Sequence, residues 1–284
     1  MNYTLLAADM DGTVVNHENR ISPRVQQAIH EAIAAGNEVL FATGRCPAEV
    51  RPFLKDFPDM RYIICANGAL VLDLQSGEAL YEATLSENMA EQVLETVREM
   101  DVMTIYYIGN DLYAANRVHE KLEHYHCGAF RTVLEECAQW VESPYEVFRQ
   151  KPDKLRKINL YFHAPEEYRA AGERLAKLPV AFPSGSPMDY EVSAPGISKG
   201  TGLAMLCQRL GIDLRQTIAC GDEGNDLEMI RTAGLGVAMG NASAAVKATA
   251  DIVAADCDHD GAADMIKMYL GKPVLCRESS GGNT

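Results

Sequence analysis

The sequence predicts an α/β fold, a parallel sheet with helices on both faces, interrupted once by an inserted α+β unit. Three observations carry that prediction. Short apolar runs alternate with helical patterns in the first third of the chain, and the same alternation returns near its end. Between them lie roughly a hundred residues of different texture. Strand and helix taking turns is what a sheet covered on both faces requires.

Taken in order, "TLLAADM" reads as the first strand. The helix "SPRVQQAIHEAIAAG" is well signalled: Ser22 can cap it, Pro23 suits its first turn, Val25, Ile29 and Ile33 recur every four residues, and Gly36 can stop it. Strand "EVLFATG", helix "PAEVRPFLKDF" and strand "YIICANGA" follow. After "ALVLDLQSGEALYEATL" come a polar helix "SENMAEQVLETVREMD", a tyrosine-rich strand "MTIYYIGNDLYAA", a helix near "RVHEKLEHYH", a strand "KINLYFHA" and a helix "PEEYRAAGERLAKL". The first pattern then resumes with "KGTGLAMLCQRLG", "QTIACGD", "NDLEMIRTAG", "LGVAMG" and "ADMIKMYLG". The division expected is 1–83 and 189–284 for the interrupted sheet and 84–188 for the insertion, with crossings near Thr84 and near Ser186 to Pro187. The small, polar end "RESSGGNT" reads as a frayed tail.

Composition narrows the function. At 284 residues and 47% hydrophobic, the chain can bury a large core and carries no signature of disorder. A formal net charge of −14, with no basic run to offset it, repels nucleic acid and anionic membranes, so the partner expected is a small molecule. The eight cysteines are scattered without a C-x-x-C pair, which reads as buried free thiols and no zinc site. No leader pattern or bilayer-length apolar run is present, and the reading is cytoplasmic.

Four polar signals each end an apolar strand or open the next helix: Asp9 and Asp11 in "AADMDGT", Thr43 in "FATGR", Lys199 in "GISKG", and Asp222 with Asp226 in "CGDEGND". Ligands of open α/β sheets bind outside the carboxyl ends of the strands, where such residues can meet. Acids converging there raise one another's pKa unless a cation lies between them, and magnesium, with its preference for hard oxygen ligands, is the natural candidate. Thr43 is placed either to cap the next helix or, with Gly44, to bond a phosphate oxygen. Lys199, between glycines at a helix start, can neutralise a phosphate. Neither G-x-G-x-x-G nor G-x-x-x-x-G-K-[ST] occurs, so no dinucleotide site or P-loop is supported.

"DMDGT", "ATGR", the lysine of "SKG" and "GDEGND", followed by "GVAMGNA" and "DGAADMI", resemble a haloacid dehalogenase superfamily phosphatase, most closely its Cof-type sugar-phosphate phosphatase branch. The resemblance implies a Rossmann-like core with a sheet-containing cap domain. It implies that Asp9 attacks phosphorus and that Asp11 handles the proton, which requires Asp11 to hold one near neutral pH. It also implies Mg2+ held by Asp9, the backbone carbonyl of Asp11 and Asp222, with Asp226 orienting the metal's water or Lys199. Met10, Gly12, Thr43, Gly44, Lys199 and Asn225 would hold the transferring group, while Arg45 either reaches substrate or pairs locally. Asn67 either lines the pocket or only turns the chain. His119, His124, His126 and His163 are expected at or near the surface, and Tyr106, Tyr107 and Tyr113 as strand packing. The activity implied is hydrolysis of small phosphorylated metabolites, sugar phosphates first and cofactor phosphates such as pyridoxal phosphate or flavin mononucleotide beside them, with phosphoryl return to a sugar, a phosphomutase, as the alternative.

Overall fold

A computed structural model describes residues 3–184 and 188–271. The strands are β1 (Leu5–Ala8), β2 (Glu38–Ala42), β3 (Tyr62–Cys65), β4 (Leu70–Asp73), β5 (Ala79–Glu82), β6 (Val102–Ile108), β7 (Asp111–Ala115), β8 (Ala138–Val141), β9 (Leu155–Phe162), β10 (Asp189–Ser193), β11 (Thr217–Gly221), β12 (Leu235–Ala238) and β13 (Ile252–Val253). The helices are α1 (Pro23–Ala34), α2 (Pro47–Leu54), α3 (Glu87–Val97), α4 (Arg131–Cys137), α5 (Pro144–Gln150), α6 (Pro165–Leu175), α7 (Lys199–Leu210), α8 (Leu227–Thr232), α9 (Ala244–Thr249) and α10 (Gly261–Leu270).

The larger sheet runs β13-β12-β11-β1-β2-β3-β4-β5. It is parallel through β3 and ends in the antiparallel pair β4 and β5. Its two faces show directly in β1, where side chains alternate. Leu6 and Ala8 join Val25 and Ile29 of α1 and Ile266 of α10, while Leu5 and Ala7 join Leu203 and Leu206 of α7. The Ser22 hydroxyl caps α1 by accepting from the Val25 amide at 3.2 Å.

The smaller sheet runs β10-β9-β6-β7-β8 and is antiparallel except for β7 with β8. Helices α3, α5 and α6 cover one of its faces, burying Val93, Phe148 and Leu175 against Ile158, Leu160 and Phe162. On entry, the Ala83 amide donates to the Ala69 carbonyl, just before β4, and the Leu85 amide to the Leu155 carbonyl in the smaller sheet.

Three expectations need correcting. Asp189–Ser193 was assigned to the returning core, yet it pairs with β9 as the edge of the smaller sheet, so the chain re-enters the larger sheet's layer after Ser193. The cause is packing: Tyr190 stacks on Tyr168 and meets Phe162, both of the insertion. Ser186 and Pro187 lie outside the described residues, as do "RESSGGNT" and Cys276. The helix expected over "RVHEKLEHYH" is a 3-10 stretch at 116–121 followed by turns. Finally, Thr43 does not cap α2: the N-cap is Cys46, whose amide donates to the Glu49 carboxylate at 2.7 Å.

The seven described cysteines are free thiols. Among the described residues, no helix is long and apolar enough to cross a membrane.

Candidate active site

Register assembles the site. Ala8 pairs with Cys220 on one side and Phe41 on the other, so Asp9, Asp222 and Thr43 all leave the sheet at the same edge. At that edge Asp9 is 6% exposed, and its Oδ1 accepts from Lys199 Nζ at 2.5 Å. Lys199, the first residue of α7 and 1% exposed, donates also to Asp226 Oδ1 at 2.7 Å. Asp226 Oδ2 accepts from the amides of Asp222 (2.9 Å) and Glu223 (3.1 Å). Asp226 is therefore a holder of Lys199 and of the loop, with both oxygens engaged.

Two glycines permit this closeness. At Gly12, with φ +75°, an added Cβ would lie 2.3 Å from Asp222 Oδ2. At Gly68, with φ +94°, it would lie 1.9 Å from the Ser198 carbonyl, which seats the turn after β3 against the start of α7. Asp222 is steadied by Thr13 Oγ1, which donates to its Oδ1 at 3.3 Å, and by Asn241 Nδ2, which donates to its Oδ2 at 3.1 Å.

The electrostatics follow from crowding. Burial, then Asp226, push the Asp9 carboxyl well above its usual range, with Lys199 working against them. Burial, then Asp226, also push Asp222 up to about 7. For Lys199 burial disfavours the charge, but Asp226 and Asp9 overcome it and hold the ammonium above its usual pKa. Asp9, Asp222 and Asp226 bring carboxylate oxygens within 4.8 Å of one another. Asp226 is tied to the Lys199 ammonium and two main-chain amides, whereas Asp222 accepts only from neutral side chains, so the oxygens of Asp9 and Asp222 are the ones suited to a hard divalent cation, whose charge would relieve that repulsion.

The sequence places acids around Asp11, but the structure places a cation there. Arg45 donates from Nε to Asp11 Oδ2 at 2.9 Å and from Nη2 to Oδ1 at 2.6 Å, a two-pronged pair over the Phe53 ring. The local pairing is thus the one Arg45 makes. The Thr43 hydroxyl accepts from the Arg45 amide at 3.1 Å, tightening the same turn.

Asp9, Asp11, Thr43, Gly44, Arg45 and Asn225 line one cavity of about 100 Å³. The Met10 side chain does not join them: it is fully buried in the core, and only its main chain is near the site. Asn67 reaches the site, accepting from Asn225 Nδ2 at 3.3 Å and donating to Glu191. Tyr106 and Tyr113 pack in the insertion's core, but Tyr107 lines the cavity with its ring under Lys157 Nζ, 4.2 Å from the centroid. His124 pairs with Asp101 at 2.6 Å and stacks on His163 at 3.8 Å, away from the cavity.

Sequence reasoning missed Glu49, Asn159, Tyr161, Asp189 and Glu191, all on the cavity wall, and Asn241 behind Asp222. "KINLYF" held a readable signal for two of them: polar residues at every second position of an otherwise apolar strand. A further group lies beside the site, where His17 pairs with Asp258 at 2.7 Å near Cys257. Burial pushes the Cys257 thiol up to about 11, so it stands as a protonated thiol next to a surface ion pair.

A buried carboxylate at a strand end, locked to a lysine and neighboured by an acid fit for a divalent cation, defines an enzyme that handles phosphoryl groups. Comparison makes this specific: the family model for haloacid dehalogenase-like hydrolases matches residues 6–266, and the chain belongs to that family. It is 29% identical over 279 residues to "Putative phosphatase YxeH" of Bacillus subtilis, covering 95% of this chain and all of that one. It is 31% identical over 266 residues to "5-amino-6-(5-phospho-D-ribitylamino)uracil phosphatase YcsE" of the same organism, covering 94% and 95%. The solved structure of the "HAD Subclass IIB Sugar Phosphatase BT4131" superposes with a TM-score of 0.79 at 26% identity, covering 94% of this chain and 98% of that one. The chain is a phosphatase of this family, of the Cof type, with a Rossmann-like core and a cap.

Proposed function

We propose that the protein hydrolyses small phosphorylated metabolites, sugar phosphates in particular, with Mg2+ and through a phosphoaspartate on Asp9. The observation that carries the reading is Asp9 itself, buried at the end of β1 with Oδ1 on Lys199 and its other oxygen left for attack. In the first step that oxygen forms the bond to phosphorus as the ester oxygen leaves, and Asp11, once out of the Arg45 fork and carrying a proton, gives that proton to the leaving alkoxide. In the second, Asp11 takes a proton from water, whose oxygen attacks the phosphoaspartate and returns Asp9 as free carboxylate. Thr43, Gly44 and Lys199 hold the phosphoryl oxygens, and Asn225 lines their side of the cavity. Met10 and Gly12 contribute main chain to the loop. Arg45 engages both Asp11 oxygens, so its fork opens, with the incoming phosphate as the guanidinium's new partner, before Asp11 carries a proton.

Mg2+ would be held by Asp9, Asp222 and the Asp11 carbonyl, and would offset the repulsion between nucleophile and phosphate. The polar lining of the cavity, which includes Asn159, Tyr161, Glu191 and Asn225, supports a polar, hydroxylated leaving group. The name of the sugar phosphatase points the same way.

The test is phosphate release from a panel of sugar phosphates, nucleotides and cofactor phosphates with Mg2+. Sugar phosphates should lead, and Asp9→Asn should lower kcat by about a thousandfold or more. Full activity in Asp9→Asn, or nucleotides turning over best, sinks the reading.

A further inference from the structure

The face of the smaller sheet that overlooks Asp9 follows a period-two pattern. Along β9, Ile158, Leu160 and Phe162 enter the core beneath the helices, and Lys157, Asn159 and Tyr161 take the opposite face. Pairing sets Glu191 of β10 beside Asn159. Glu191 Oε1 accepts from Lys157 Nζ at 2.9 Å and from Asn159 Nδ2 at 3.2 Å, while Oε2 accepts from Asn67 of the larger sheet's layer. Lys157 overcomes burial and lowers the Glu191 pKa, so Glu191 is an ionised acceptor.

That fixes the Asn159 amide. An ionised carboxylate can only accept, so the NH2 end must face Glu191, and it donates also to the Tyr161 hydroxyl at 3.0 Å. The carbonyl end is left over. Asn159 is 1% exposed and lines the cavity, yet its Oδ1 has no hydrogen-bond partner. A buried acceptor without a partner is costly, which calls for a group to fill the role. Beside it, the Tyr161 oxygen accepts from Asn159 and so keeps its own proton to give; burial holds that phenol protonated. The wall thus offers one acceptor and one donor side by side. A hydroxyl group, which both donates and accepts, suits each of them.

We infer that Asn159 Oδ1 and Tyr161 Oη read neighbouring hydroxyls on the leaving group and are the residues that favour a hydroxylated, otherwise uncharged leaving group over a plain alkyl one. The Lys157 ammonium is already matched by Glu191, and Asp189 and Glu49 stand on the same wall, so a second anionic group meets no spare cation there. This inference rests on the phosphatase reading above and adds the residues that choose the substrate.

The test uses two matched pairs with Mg2+: sn-glycerol 3-phosphate against propyl phosphate, and ribitol 5-phosphate against pentyl phosphate. Each pair differs only in hydroxyls. The wild type should favour the hydroxylated member by at least about tenfold in kcat/KM, and Asn159→Leu should bring that ratio to within about twofold of unity. Tyr161→Phe keeps the ring and should lower the ratio by about threefold, a second reading should Asn159→Leu fail to fold. A wild-type ratio near one overturns the inference, as do variants that keep the wild-type ratio. So does a wild type that hydrolyses acetyl phosphate but neither pair. No phosphate release from any ester would instead remove the phosphatase reading on which the inference stands.

Discussion

Two lysines are fully buried on the two sides of this active site, and their company differs. Lys199 in the larger sheet's layer meets Asp9 and Asp226, with Asp222 close behind; Lys157 in the smaller sheet makes its ion pair with Glu191, with Asp189 and Glu49 on the same wall. The consequences are opposite. Glu191 is held below the usual carboxylate range even though it is buried, whereas Asp222 is pushed up to about 7 and Asp9 is also raised. One lysine balances one acid, but one lysine cannot balance three. On the proposed reading, the side with the one-to-one pair reads neutral hydroxyls, and the side with surplus negative charge takes a cation and, with it, a phosphoryl group.

Breaking the two lysines separately should expose that difference. Lys199→Met leaves Asp9 and Asp226 facing each other without a counter-charge, so we expect kcat to fall by about a thousandfold and stability by about 3–5 kcal/mol, read by phosphate release and urea unfolding. If this variant works and unfolds like the wild type, the surplus of charge at the core site is not real.

A pH series on metal-free protein gives an effect of similar size. Asp222 releases its proton near pH 4 when unfolded and near 7 when folded, so between those values the folded state holds the extra proton. Stability should therefore fall as pH rises from about 4 to about 7, by roughly 4 kcal/mol from this group. Saturating Mg2+ should flatten the slope at its upper end. A metal-free protein that grows more stable across this window contradicts the crowding.

Lys157→Met is the milder counterpart. Glu191 keeps its bonds to Asn67 and Asn159, so the expected cost is about 2 kcal/mol, with KM for sugar phosphates affected more than kcat. Equal losses of kcat from Lys157→Met and Lys199→Met would erase the distinction between the two sides. Smallest is Gly12→Ala, where strain at φ +75° and the clash with Asp222 should cost about 1–3 kcal/mol and weaken Mg2+ binding more than substrate binding, measured by calorimetry.

The same contrast explains what the sequence revealed. At the larger sheet, charged residues break apolar strands at their ends, in "AADMDGT" and "TIACGD", and parallel register then has to bring them to one edge. Those residues were legible for that reason. In the smaller sheet, Lys157, Asn159 and Tyr161 sit inside a strand at period two, which looks the same as any strand with one wet face. Only the fold reveals that this face meets another layer rather than water. Asp189–Ser193 went astray for a related cause, because its partner strand is set by tyrosine stacking in the insertion and not by a local pattern. The Arg45 fork on Asp11 was out of reach because it joins two loops 34 residues apart through side-chain rotamers.

The most direct test of the surplus charge at the core site is thermal unfolding at pH 7.5 with and without Mg2+, in the wild type and in Asp222→Asn. At about a hundredfold excess over Kd, Mg2+ should stabilise the wild type by about 2.7 kcal/mol, a rise in Tm of roughly 5 °C or more, and should barely move Asp222→Asn. No rise in the wild type, or an equal rise in both, would contradict the account.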